Sequence, residues 1–302
     1  MTSPATVEVA GPGGTIECLV THESGAAGLA GPAGLAGPAG PDRLSNLAPT
    51  TLFVPGLASS IADTRPFGSG VGGARVFVQL RGHGGTAMPT DADGRPLPGD
   101  LADLVEDLRA VLAETGARRA VGVSLGAAAL LRLVVESPAA LDRLVLVLPP
   151  DPIRPVSPQL QARFEAMAVA AERAEVEVLA GLLRDQYPAA IARRPAVRLW
   201  SRRHAAWLTA PPVAASVAAA LRRYPTGAAL TRWPDPAGVP VLPEVSLPVL
   251  VLAQQDDPWH PVAAARSIAG ALPGARLQVL PAGAVPWGEP ALVRASIAGF
   301  LG

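Results

Sequence analysis

The sequence contains no lysine. Its 25 positive charges are all arginines, and 25 acidic residues balance them. With a formal net charge of zero, no broad field draws the chain toward nucleic acid or an anionic membrane surface. Cysteine is almost absent too. The lone Cys18 excludes an intrachain disulfide and a cysteine metal cage, and it reads as a small buried hydrophobe in a strand. Only four histidines occur, His22, His83, His204 and His260, and no cluster has metal-ligand spacing, so neither a metal nor another cofactor is expected. The longest apolar run, near residue 125, is broken by Arg132 and is too short to span a bilayer. The start, Met1-Thr2-Ser3-Pro4, has neither the basic nor the apolar segment of a secretory signal. A cytoplasmic protein that binds no nucleic acid and no membrane is the expectation.

What is abundant is apolar material, 49% of 302 residues, enough for a large core. Residues 7–10 and 15–21 alternate like strands around Gly11-Pro12-Gly13-Gly14, a hairpin turn. Residues 24–49 carry an imperfect Ala-Gly-Leu-Ala-Gly-Pro repeat that cannot pack a core, and read as a flexible surface insertion. Strands follow at 51–54 and 75–80. Asp100 then stands as an N-cap before apolar residues at helical spacing, and Gly116 stops that helix. A strand at 120–123, a helix at 126–136 and a strand at 144–148 continue the pattern. Such alternation predicts an α/β fold with a doubly wound, mostly parallel sheet.

Residues 150–245 interrupt it. Ser157-Pro158 starts a helix, and further helices are expected near 175–186, 189–209 and 213–224. This run reads as a helical cap inserted into a core formed by residues 1–149 and 246–302. It holds Trp200, His204, Trp207, Tyr224 and Trp233, in a chain only 4% aromatic. These rings either line a substrate cavity or pack the cap. The sheet resumes at 248–253, followed by a helix at 261–272, a strand at 276–280 and a helix at 290–301.

Gly122-Val123-Ser124-Leu125-Gly126 lies between a strand and a helix, the context of a nucleophile elbow. Ligands of doubly wound sheets sit at the carboxyl ends of strands, which is where this serine falls. Three more segments occur in order: Phe53-Val54-Pro55-Gly56-Leu57, Leu80-Arg81-Gly82-His83-Gly84, and Gln255-Asp256-Asp257-Pro258-Trp259-His260-Pro261. Together these resemble the α/β-hydrolase fold superfamily over nearly the whole chain outside 24–49. The resemblance implies Ser124 as nucleophile, Asp257 as acid, and the backbone N–H groups of Leu57 and Leu125 as oxyanion donors. Asp256 and Asp151 are lesser alternatives for the acid, and Pro55 replaces a histidine usual in the family.

A serine hydroxyl needs a base to take its proton. The resemblance places that histidine after the last strand, where Val285 stands here, and no histidine follows residue 260. His260, three residues past Asp257, is the first candidate for a displaced base. His83, in a stretch with a structural part in the family, and His204, on a cap helix, are the others, and His22 is not expected to take part. Three readings remain open. The preferred one is hydrolysis of a small apolar ester, thioester or lactone, with Ser124, Asp257 and His260 or a water. The second is a catalytically dead ligand-binding or regulatory protein whose pocket is lined by Val285, His204, Trp207 and Trp200. The third is a lyase or cyclase using Asp257 as base.

Overall fold

A computed structural model of the chain describes residues 4–22, 49–97, 99–154, 156–211, 213–227, 242 and 244–302. The expected insertion, apart from Pro49, and Trp233 lie outside the described residues. The chain opens with a hairpin. Strands β1 (Ala5–Gly11) and β2 (Gly14–His22) pair antiparallel, with Gly11 opposite Gly14 across a Pro12-Gly13 turn. The remaining strands are β3 (Thr50–Val54), β4 (Ala74–Val78), β5 (Arg119–Val123), β6 (Arg143–Val147), β7 (Val249–Gln254) and β8 (Ala275–Leu280). They form one sheet in the order β1-β2-β4-β3-β5-β6-β7-β8, parallel from β4 to β8. Central strands β3 and β7 are buried at every position, as expected of parallel strands covered on both faces.

Helices α1 (Ile61–Thr64), α2 (Leu101–Thr115), α3 (Leu125–Glu136), α9 (Val262–Ala271) and α10 (Pro290–Leu301) belong to this sheet. The period-two alternation of strands divides the core between its faces. Leu52, Val54, Leu144, Leu146, Val249 and Val251 pack with Leu104 and Leu108 of α2, Leu130 of α3 and Ile268 of α9. Phe53, Phe77, Val145, Val147, Leu250 and Leu252 pack with Val293, Ile297 and Leu301 of α10. Helix α2 begins and ends as its sequence dictates. The Asp100 carboxylate accepts from the N–H groups of Ala102 and Asp103, and Gly116 adopts φ 62°. Cys18 is fully buried in β2, where burial pushes its thiol up to about 12, so it is inert.

Between β6 and β7 lie α4 (Pro158–Glu172), α5 (Val176–Arg184), α6 (Ala189–Ala192), α7 (Pro195–Leu208) and α8 (Val213–Gly227). They share an apolar cluster of their own, with Met167, Leu179, Leu183, Leu208, Val217 and Leu221 around small alanines. One helix was expected over 189–209, and the structure has two. Pro195 has no N–H, and its ring pushes Arg194 into the extended region (φ −61°, ψ 136°), which ends α6 and starts α7. Among the described residues no single helix is long and apolar enough to cross a membrane.

The turn from β5 into α3 brings backbone directly against backbone. Ser124 is held at φ 49°, ψ −112°, a backbone state costly for a residue with a side chain. The turn closes because the residues two positions to either side, Gly122 and Gly126, are glycines. A Cβ on Gly122 would lie 2.6 Å from the carbonyl oxygen of Gly126, and one on Gly126 would lie 2.5 Å from that of Val54. Gly126→Ala is expected to destabilise the protein by about 3 kcal/mol, since backbone must separate from backbone. A thermal melt reads this as a Tm lowered by roughly 6–12 °C; an unchanged Tm would mean that the two backbones part freely.

Candidate active site

The Ser124 N–H donates to the carbonyl of Val147 (3.0 Å), and its own carbonyl accepts from Ala128 (3.0 Å). With both backbone groups engaged, the side chain projects above the strand ends. Its Oγ lies 2.8 Å from Nε2 of His260, a residue 136 positions away in sequence. His260 belongs to the loop after β7. Its Nδ1 is 3.3 Å from Oδ2 of Asp257. The other carboxylate oxygen accepts from the backbone N–H of Trp259 (2.8 Å) and of His260 (2.9 Å), so Asp257 folds the loop around itself. Oδ2 also accepts from the amide of Gln254 (2.8 Å), whose Oε1 accepts from the Val285 N–H (3.0 Å). Burial alone would raise the Asp257 carboxyl. The hydrogen bond and charge of His260, with the Gln254 and Trp259 donors, outweigh it and hold the group below the usual carboxylate range.

The other two aspartates fall away from this cluster. Asp256 is exposed, with φ 53°, and Asp151 accepts from the N–H groups of Ile153 and Arg154. The loop after β3 approaches the serine from the other side. A Cβ on Gly56 would sit 3.4 Å from the Ser124 Cβ. Leu57 follows it. Leu125 is the first residue of α3, so its N–H has no acceptor within the helix. The Leu57 N–H likewise has no backbone acceptor among the described residues.

The model of the Alpha/beta hydrolase family matches residues 51–295. The chain belongs to the alpha/beta hydrolase family. Solved structures share its fold at low identity. The enol-lactonase from Burkholderia xenovorans superposes with a TM-score of 0.70 at 18% identity, over 97% of this chain and 99% of that one. A thermophilic esterase from Thermogutta terrifontis gives 0.67 at 19%, over 98% of each chain. Est816, an N-acyl homoserine lactone degrading enzyme, gives 0.65 at 19%, over 97% of this chain and 99% of that one.

The remaining histidines of this alpha/beta hydrolase are engaged elsewhere. His83 is fully buried. Its Nδ1–H donates to the Arg81 carbonyl (3.0 Å), which leaves Nε2 to accept from the Ala58 N–H (2.9 Å). Arg81 is itself gripped by the Asp107 carboxylate, at 2.9 and 2.8 Å. His204 donates from Nε2 to the carbonyl of the same Ala58 (2.6 Å), and its Nδ1 faces Asp63 Oδ2 at 3.5 Å. Its ring stacks on Trp200 and tilts against Trp207. Trp200 donates from Nε1 to Asp63 (2.8 Å). These rings join α7 to the loop below it. His22 ends β2, in register with Ala74. Val285 is buried, with only 2% exposure.

Two polar residues of the site went unnoticed in the sequence. The spacing Ser60-x-x-Asp63 is a capping-box signal that marks Asp63, and the structure shows the box formed. Nothing in the residue type or spacing of Gln254 marks it. Burial lowers the imidazole of His83 to about 4, so between about pH 4 and 6.5 the unfolded chain binds a proton that the folded one refuses. Stability is therefore expected to fall as pH drops through that window. Thermal melts should show a shallower decline for His83→Gln, and equal slopes in both proteins would contradict this assignment.

Proposed function

We propose that this alpha/beta hydrolase cleaves a small, largely apolar ester, thioester or lactone, with Ser124 as nucleophile and His260 as a displaced base. The 2.8 Å contact between Ser124 Oγ and His260 Nε2 carries the reading. Asp257 accepts from Nδ1–H, which leaves Nε2 free to take the serine proton as Oγ attacks the acyl carbon. Charge develops on the carbonyl oxygen, and the Leu57 and Leu125 N–H groups stabilise it. The protonated His260 then gives its proton to the leaving oxygen or sulfur, which departs and leaves an acyl-serine. Water, deprotonated by His260, releases the acid. The 3.3 Å separation from Asp257 shortens when the imidazole is charged, as resting-state contacts of this kind do.

In this reading the base has moved to the acid's own loop, and Val285 occupies the family's histidine position. Helices within residues 150–245 act as a cap over the core. Leu57, Phe164 and Trp259 are partly buried where cap cluster and triad loop meet, which supports an apolar substrate. The names of the structural neighbours, a lactonase, an esterase and a lactone degrading enzyme, support the same class. A binding protein has no need of an imidazole held against the serine. A lyase using Asp257 as base fits less well, because four donors already occupy that carboxylate.

Fluorophosphonate labelling with peptide mapping tests this. We expect adduct at Ser124, none in Ser124→Ala, and labelling slowed by about 10³-fold or more in His260→Ala. Labelling indifferent to His260→Ala would sink the displaced base. Gln254→Leu removes one of the donors that hold the Asp257 carboxyl below the usual carboxylate range, so that carboxyl rises. The acidic limb of kcat/KM against pH is therefore expected to move to higher pH; a limb that stays in place would remove Gln254 from the relay.

A further inference from the structure

Ala58 is held at both ends by histidines from different parts of the fold. Its N–H donates to His83, in the loop after β4, and its carbonyl accepts from His204, on α7. The residue is buried and sits at φ 56°, a left-handed conformation that a residue with a side chain rarely adopts. Such a backbone persists only where its surroundings over-determine it. It directly follows Leu57, the proposed oxyanion donor. We infer that His204 is a positioning residue for the oxyanion loop, so that the oxyanion hole is assembled only while α7 is docked.

The inference rests on the reading of Leu57 as a donor. The rest follows from geometry. Trp200 and His204 are four residues apart and share one face of α7. Trp200 reaches Asp63, which also accepts from Ser60 N–H (2.8 Å) and Oγ (2.7 Å) at the start of α1. One face of a cap helix thus grips the loop at Ala58 and again at Asp63. The stacked Trp200 ring, 5.1 Å from that of His204 and inclined by 17°, fixes the plane in which His204 points its donor. If α7 lifts, the Ala58 carbonyl loses its partner, and the strained turn is left with the His83 bond and the bond from the Ser59 N–H to the Gly56 carbonyl (3.2 Å). A substrate that seats the cap would thereby complete the oxyanion hole.

His204→Phe keeps an aromatic ring and removes the donor. Hydrogen exchange read by mass spectrometry over residues 53–62 is expected to accelerate about tenfold, the weight of one buried hydrogen bond. Phenylboronic acid, which forms a tetrahedral adduct on a nucleophilic serine, should bind about tenfold more weakly while KM changes less than about twofold. His204→Gln, with an amide donor, should recover part of both effects. Trp200→Phe removes the bond to Asp63 and keeps a smaller ring against His204. It should shift both readouts the same way by less, and it serves if His204→Phe fails to fold. Unchanged exchange overturns the clamp. Faster exchange with undiminished boronate affinity overturns it as well, since the latch would then have no hold on the oxyanion loop. Failure of the wild-type protein to bind the boronate, with exchange still accelerated in the variant, would count against Ser124 as nucleophile and leave the clamp standing.

Discussion

Backbone packs directly on backbone where α3 leaves β5, and the rest of the site depends on that contact. Gly126 lies so close to the carbonyls of Val54 and Pro55 that no side chain fits between them. The ends of β3 and β5 are neighbours in the sheet, so one contact sets both the serine and the loop that faces it. The unfavourable φ of Ser124 is held by the ladder around it, including its N–H bond to Val147 on β6. Strain at one residue is small beside the cooperative stability of a parallel sheet buried on both faces.

The second organising group is the Asp257 carboxylate. It accepts from two backbone N–H groups of its own loop, from Gln254 and from His260. The proposed acid and the proposed base are therefore placed by a turn of a few residues, not by the docking of two separate loops. That arrangement keeps the ordering entropy local. The loop after β8 retains a part in it, because the Val285 N–H fixes the orientation of the Gln254 amide, which in turn donates to Asp257.

Three imidazoles in this chain have three environments. His83 is buried, neutral and structural. His204 stacks on Trp200, tilts against Trp207 and reaches Ala58 from α7. His260 alone has a carboxylate on one nitrogen and a hydroxyl on the other. The same residue type thus serves as backbone acceptor, backbone donor and proposed base, and what differs is which groups meet its two nitrogens.

Much of the architecture was legible because it rests on local causes. Alternating strands and helices, the cap of Asp100, the stop at Gly116 and the glycines around Ser124 all follow from backbone sterics and hydrogen bonding within a few residues. The split at Pro195 has an equally local cause and was there to be read. The absence of histidine beyond residue 260 was plain in the sequence, and so was the short list of residues left to replace it. Which of them meets Ser124 depends on β5 and β7 flanking β6, and on how the loop after β7 turns around Asp257. His83 and His204 find Ala58 across 25 and 146 residues. Residue spacing does not encode contacts of that range. They are decided by strand order and by the docking of α7.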